Sequence, residues 1–311
     1  MNFEVTLLGI NSALPAYGRH PSAQVLQIQE QYYLIDCGEG TQMRMNDFDI
    51  RRGKIRQIFI SHLHGDHIYG LIGLLTSYAL MGRTDSLDIF SPEGLQEIIE
   101  VQLRHGGGGF PFPIKFHKLD TEVHQLIFSD KRVEVFSIPL IHRIPTCGFL
   151  FKEKQRPRNI IPEQIEKFNI PFSLIPGIKD GKDLALPNGA IVPNAELTLP
   201  PLEPRAYAYC SDTRYTETIL PYINGVDLLY HESTFLHEAE ERAKETMHTT
   251  ALQAGTIAQK ANVGLLILGH FSSRYPDLEV LRKEAATVFD RVVIGVEGQT
   301  YKAPFKGRVL E

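Results

Sequence analysis

The 311-residue sequence has no tryptophan, only three cysteines, and no apolar run of the roughly 20 residues that a bilayer span requires. The missing run excludes a helical membrane protein. Cys37, Cys147 and Cys210 are odd in number and far apart, so they form neither a disulfide framework nor a Cys-x-x-Cys metal knuckle; a reducing, cytoplasmic setting is expected. The first residues, MNFEVTLLGINS, lack a basic segment, and Glu4 interrupts the apolar stretch, so they read as a first strand and not as a signal peptide. An excess of positive charge is also missing. The 32 Lys and Arg against 37 Asp and Glu give a net charge of −5, which argues against a protein that coats nucleic acid but is compatible with a local basic surface. No internal repeat or low-complexity segment is present. The 43% hydrophobic and 22% charged fractions fit a folded globular chain of one large domain or two small ones. What the chain does have is histidine, at twelve positions. Histidine is the commonest metal ligand and the side chain that titrates nearest neutrality.

The patterning predicts alternating strands and helices. Strands are expected at Phe3–Gly9, Ala23–Ile28, Tyr32–Asp36, Arg56–Ser61, Leu87–Phe90 and Val133–Ile138, then at Ala206–Cys210, Asp227–Tyr230, Gly264–Gly269 and Val292–Val296. Helices are expected at Gly40–Phe48 and Ile68–Leu80, from Ser91 as N-cap to about Arg104, at Thr249–Ala261 and at Asp277–Phe289. The run HGGGGFPFP at His105–Pro113 reads as a flexible loop. Two similar αβ halves packed sheet to sheet would accommodate this order. The segment of about 151–200 differs. It is rich in proline, and between Lys152 and Lys182 it carries seven Lys or Arg against four Asp or Glu. It is expected to be an inserted arm without a core of its own, in an otherwise single domain of 1–311.

His62-Leu63-His64-Gly65-Asp66-His67 falls where a strand ends and a helix begins. Three imidazoles and a carboxylate within six residues are costly to bury without a partner, and a divalent cation offsets that cost. In an extended turn His62 and His64 project to one side, while Asp66 and His67 serve a second point. Further donors stand at the ends of predicted strands: His142, Asp212 in CSDTR, and His270 in LLILGH. Singly, His142 or His270 reads as a surface histidine and Asp212 as a turn residue. Only the joint pattern promotes them.

HLHGDH with a downstream His, Asp and His resembles the metallo-β-lactamase superfamily. IDCGEGTQMRM, FISHLHGDHIYGLIGLL, YCSDTR, HESTF, HTTALQAGTIAQKANVGLLILGH and SSRY, in that order, are more narrowly similar to the short form of the ribonuclease Z family of tRNA 3′-processing endonucleases. The resemblance covers nearly the whole chain. It implies an α/β metallo-β-lactamase fold, a four-layer αββα sandwich with a protruding flexible arm. It implies two divalent metal ions per subunit, zinc first and manganese as the alternative, with His62, His64, His142 and Asp212 holding one. Asp66, His67, Asp212 and His270 would hold the other, and Asp66 would also accept a proton from the attacking water. Glu232 would orient His248, which protonates the leaving 3′ oxygen. Thr249 reads as a helix N-cap.

The implied function is a metal-dependent endoribonuclease. It would cut the 3′ trailer from precursor tRNA and leave a tRNA 3′-hydroxyl and a 5′-phosphate on the trailer. A homodimer is implied, with no membrane partner. Asn11–His20 aligns with the family's PxKxRN loop, but Tyr17 stands for the Lys and His20 for the Asn. Arg19, Arg274 and the arm residues Lys152, Lys154, Arg156 and Arg158 are the candidate tRNA contacts, through phosphates and without reading sequence. The alternative is a phosphodiesterase or arylsulfatase-like hydrolase of small esters on the same fold.

Overall fold

The computed structural model describes residues 2–106 and 108–305. Two compact units divide the chain. The first runs to Lys152 and resumes from Ala206 to Ala303; the second spans Glu153–Arg205 and takes in Pro304 and Phe305.

The first unit contains two seven-stranded sheets. One has the order Thr300–Lys302, Phe3–Gly9, Ala23–Ile28, Gln31–Ile35, Ile55–Phe59, Leu87–Ser91, Ile114–Lys118, antiparallel up to Gln31–Ile35 and parallel beyond it. The other has the order Val292–Ile294, Leu265–Gly269, Leu228–Glu232, Ala206–Cys210, Cys147–Glu153, Val133–Pro139, Leu126–Ser129, and its first three pairings are parallel. A single apolar cluster joins the two inner faces. Val5, Leu7, Tyr33 and Phe59 of the first sheet meet Phe149, Phe151, Tyr207 and Tyr209 of the second. The Phe59 ring lies 5.5 Å from that of Phe149, tilted, and 5.2 Å from that of Phe151, edge to face, the latter a geometry that aromatic quadrupoles favour. The cluster continues through the second sheet to the helices Ala251–Lys260 and Glu279–Ala286. A second cluster buries the outer face of the first sheet, at Val25, Leu34 and Ile58, under Thr41–Asp47, Leu71–Leu80 and Leu95–Gly106. The layers are therefore αββα, as in metallo-β-lactamase-fold proteins.

Several expectations need correction. The helix over 68–80 is broken. Gly65–Ile68 and Leu71–Leu80 are separate, because the Gly70 amide donates to Cys37 O at 2.9 Å instead of continuing the helix. A Cβ at Gly70 would collide with the Gly38 carbonyl, so only glycine allows this approach. Ser91 ends a strand and caps nothing; the following helix starts at Leu95 and runs to Gly106. Gly107 of the glycine run lies outside the described residues. Four strands of the two large sheets escaped the patterning, among them the three-residue edge strand Thr300–Lys302. Ile114–Lys118 and Leu126–Ser129 are short and half exposed, and Cys147–Glu153 is buried on both faces and so shows no alternation.

The second unit does form an apolar cluster, of Ile170, Ile178, Leu184, Val192 and Leu197. This overturns the expectation of a segment without a core. Its prolines start helices instead of preventing them, at Pro162–Lys167 and Ile175–Lys179. Two short ladders pair Asn159–Ile160 with Thr198–Leu199 and Leu184–Ala185 with Ile191–Val192. Among the described residues no helix is long and apolar enough to cross a membrane.

Candidate active site

The candidate donors sit at or just beyond strand ends. His62–His67 follow Ile55–Phe59, His142 follows Val133–Pro139, Asp212 follows Ala206–Cys210, and His270 follows Leu265–Gly269. Asp212 and His270 have φ of 57° and 55°, a left-handed backbone rarely adopted outside glycine and worth about 1–3 kcal/mol of strain each. Such strain persists only where packing over-determines it, and both residues are buried.

The side chains converge. One potential ligand atom from each of His62, His64, His142 and Asp212 lies within 4.8 Å of the others; the same holds for Asp66, His67 and His270, and for Asp212, His248 and His270. His62 Nε2 is 3.0 Å and His142 Nε2 3.3 Å from His64 Nδ1. Asp212 Oδ2 lies 3.1 Å from His67 Nε2 and 3.2 Å from His270 Nε2, and its Oδ1 lies 3.7 Å from His62 Nε2. His67 Nε2 and His270 Nε2 are buried without a hydrogen-bond partner. Buried, unpartnered lone pairs facing a carboxylate are the surroundings that a divalent cation satisfies.

The opposite ring nitrogens are held from behind. His142 Nδ1 donates to Met247 O at 3.0 Å, and His67 Nδ1 lies 2.7 Å from Asp36 Oδ2. His62 Nδ1 is 3.0 Å from Ser61 Oγ, and His270 Nδ1 is 3.1 Å from Thr234 Oγ1. Each contact turns an Nε2 inward. Burial holds the His62, His64 and His142 imidazoles below their ordinary range and so keeps them neutral. Burial also opposes a charge on Asp212, but the neighbouring imidazoles, His270 and His67 foremost, outweigh it and hold the carboxyl well below the usual carboxylate range.

Asp36, which the sequence reading missed, carries much of this arrangement. Fully buried, it accepts from Ser61 N at 2.7 Å, Ser61 Oγ at 2.8 Å and Tyr209 OH at 2.6 Å besides His67. A carboxylate directly after the apolar strand YYLI was the available signal. Asp36→Asn is expected to lower metal affinity about 10–100-fold, the range for removing a carboxylate behind a ligating histidine. A chelator-competition titration checks this, and an unchanged affinity would remove Asp36 from that role.

Glu232 is buried and accepts from Thr213 N at 2.6 Å, Thr234 Oγ1 at 2.6 Å, Thr249 N at 2.9 Å and His248 Nδ1 at 3.0 Å. Burial alone would discharge His248, but the Glu232 carboxylate reverses this and raises the imidazole to about 9. The helix after His248 is capped by Thr250, whose side chain forms a capping box with Gln253; the cap is thus one residue beyond Thr249. Thr249 Oγ1 donates to Thr213 O at 2.6 Å.

The candidate tRNA contacts differ in how open they are to solvent. The Arg19 guanidinium is buried, donates to Tyr275 O at 2.9 Å and lies 5.0 Å from the Tyr17 ring, so it braces the Asn11–His20 loop. His20 is tied to Glu297 at 2.8 Å. Arg274 is exposed, its guanidinium 5.9 Å from the Phe235 ring. Arg156 pairs with Glu153 and Arg158 donates to Thr198 Oγ1, both within the second unit. Lys152 is exposed and Lys154 half-buried. A cleft of about 500 Å³ opens before the donor cluster, lined by His64, Asp66, Asp212, His248 and His270. Arg143 and Tyr69 also line it, and the sequence reading had singled out neither.

A family model described as Anti-Pycsar protein Apyc1 matches residues 3–142. A Ribonuclease Z of Porphyromonas gingivalis is 45% identical over 295 residues, covering 95% of this chain and 97% of that protein. A Ribonuclease Z of Cytophaga hutchinsonii is 44% identical over 306 residues, covering 97% and 96%. Among solved structures, human tRNase Z, short form, superposes with a TM-score of 0.70 at 25% identity over 97% of this chain and 99% of that one. A metallo-beta-lactamase fold protein from Bacillus subtilis shares the fold, with a TM-score of 0.68 at 20% identity over 97% and 100%.

Proposed function

The chain belongs to the ribonuclease Z family, and on that premise we propose that it removes the 3′ trailer from precursor tRNA by hydrolysing one phosphodiester, leaving a tRNA 3′-hydroxyl and a 5′-phosphate on the trailer. The observation that carries this reading is the convergence of His62, His64, Asp66, His67, His142, Asp212 and His270 into adjoining donor clusters, four of them lining one cleft, beside a His248 held by a buried carboxylate.

Two divalent cations, zinc in the first instance and manganese as the alternative, would supply Lewis acidity and an acidified water there. His62, His64, His142 and Asp212 would hold one; Asp66, His67, Asp212 and His270 would hold the other, so Asp212 serves both. The Ala13 amide donates to Asp66 Oδ2 at 2.8 Å, which fixes that carboxylate. Its Oδ1 is the atom we assign to receive the proton of the attacking water. Glu232 fixes His248 through Nδ1, leaving Nε2 to donate a proton to the departing 3′ oxygen. His248→Gln is expected to keep the bound metal and slow cleavage by about 10²-fold, the lower end for losing a general acid. Single-turnover kinetics with metal analysis check both halves of that statement.

The arm within 153–205 is proposed to hold the tRNA body by backbone contacts. We further propose a cytoplasmic homodimer. The three free, buried thiols support a reducing compartment, and the family resemblance carries the dimer. The deciding experiment incubates the metal-loaded protein with precursor tRNAs with and without an encoded CCA and maps the cut at nucleotide resolution. Cleavage beside the discriminator base supports the proposal. Absence of any RNA cut, with turnover of a small phosphodiester, would favour the small-ester hydrolase instead.

A further inference from the structure

Two side chains of the cleft have no part in the scheme above. Arg143 directly follows His142 and is exposed, and apart from imidazoles it is the only cationic group among the cleft's lining residues. Tyr69 is 72% exposed, yet its position is fixed. Its amide donates to Gly65 O at 2.9 Å, closing the short turn after HLHGDH. Its ring lies against Gly65 so closely that a Cβ there would collide with the ring carbons. Glycine at 65 therefore lets an aromatic ring rest on the metal loop with much of its surface in solvent. Exposure of a large ring at a fixed place beside a polar cleft is unexplained by packing. Leu14 and Pro15 add apolar lining, and Glu39 is the lining's one carboxylate outside the donor cluster.

We infer that Tyr69 and Arg143 form a nucleotide grip at the mouth of the cleft. The Tyr69 ring stacks on the base beside the scissile bond, and the Arg143 guanidinium binds a phosphate of the same strand. This deepens the ribonuclease reading and rests on it. The chemistry suits a single strand of variable sequence. Every base has a π-face, so stacking holds it without selecting it. The planar guanidinium matches two phosphate oxygens at once. Glu39 disfavours the backbone near it and leaves Arg143 as the cleft's phosphate anchor.

The test titrates a fluorescein-labelled single-stranded pentanucleotide, and its abasic counterpart, into the metal-loaded protein and follows anisotropy at several salt concentrations. Tyr69→Leu should weaken the pentanucleotide about 5- to 150-fold and leave the abasic strand unchanged. Tyr69→Phe should bind as wild type. Arg143→Gln should weaken both strands and lower the salt slope by about one, and Arg143→Lys should restore part of the affinity. Metal content should be wild type in all four. Equal loss of both strands in Tyr69→Leu, or an unchanged salt slope in Arg143→Gln, would overturn the grip. So would a change of oligomeric mass in Tyr69→Leu with binding intact. Binding is read without cleavage, so failure of the grip is distinct from failure of the nuclease reading, which the tRNA mapping decides.

Discussion

Asp212→Asn is expected to leave the fold intact and remove most of the metal affinity. Asparagine is among the few residues that tolerate the φ of 57° found there, and it keeps the carboxylate's shape. What it loses is the charge that three imidazoles stabilise and that both proposed ion positions share. Its amide would turn an NH₂ towards the inward Nε2 atoms or towards a cation. Removing one partner of a buried charge pair typically costs 3–5 kcal/mol, or about 150- to 5,000-fold in affinity. Metal per chain after gel filtration should fall below one, and RNA cleavage should fall to background. The melting temperature of the metal-free protein should stay near wild type, which separates loss of ligand from loss of fold. Full metal content in this variant would remove Asp212 from the ligand set.

Excising the arm is expected to have a comparable effect on one substrate and almost none on another. Lys152 and Ala206 are register partners in antiparallel strands, and Glu153 N donates to Arg205 O at 2.9 Å. The Arg205 Nε donates to Glu153 Oε2 at 2.8 Å. Residues 154–204 can therefore be replaced by Asn-Gly, a two-residue hairpin turn that suits the strand twist. If the arm is a second point of attachment for tRNA, its loss should weaken tRNA binding by about 10²–10⁴-fold, the usual gain from a linked second site. Hydrolysis of a small chromogenic phosphodiester, which needs only the cleft, should stay within about threefold of wild type by the same argument, since it never engages that second site. Undiminished tRNA cleavage would remove the arm from recognition.

The donor cluster was legible because its chemistry is local. HLHGDH packs four donors into six residues, and His142, Asp212 and His270 each follow a patterned strand. The resemblance then supplied the layering, which alternation alone left as two αβ halves. What was illegible depends on partners distant in sequence. Asp36 gains its role from Ser61, His67 and Tyr209, and Tyr69 gains its place from a glycine that reads as an ordinary turn residue. Arg19 looked like a phosphate contact until Tyr275 supplied a carbonyl that holds it inside. The arm's core was hidden because its five apolar residues are spread over 28 positions without period.

The pinning of four of the five donor imidazoles also bears on when metal enters. In small zinc domains the ligands come together only as the ion binds, and folding waits for it. Here Met247, Asp36, Ser61 and Thr234 hold the rings from behind, and large apolar cores support the strands that carry them. On the proposed ligand scheme, rings held in place this way predict a metal-free chain that is already folded, which circular dichroism and thermal melting after chelation check. An ion taken up after folding would be exchangeable, and its identity would follow the metal supplied.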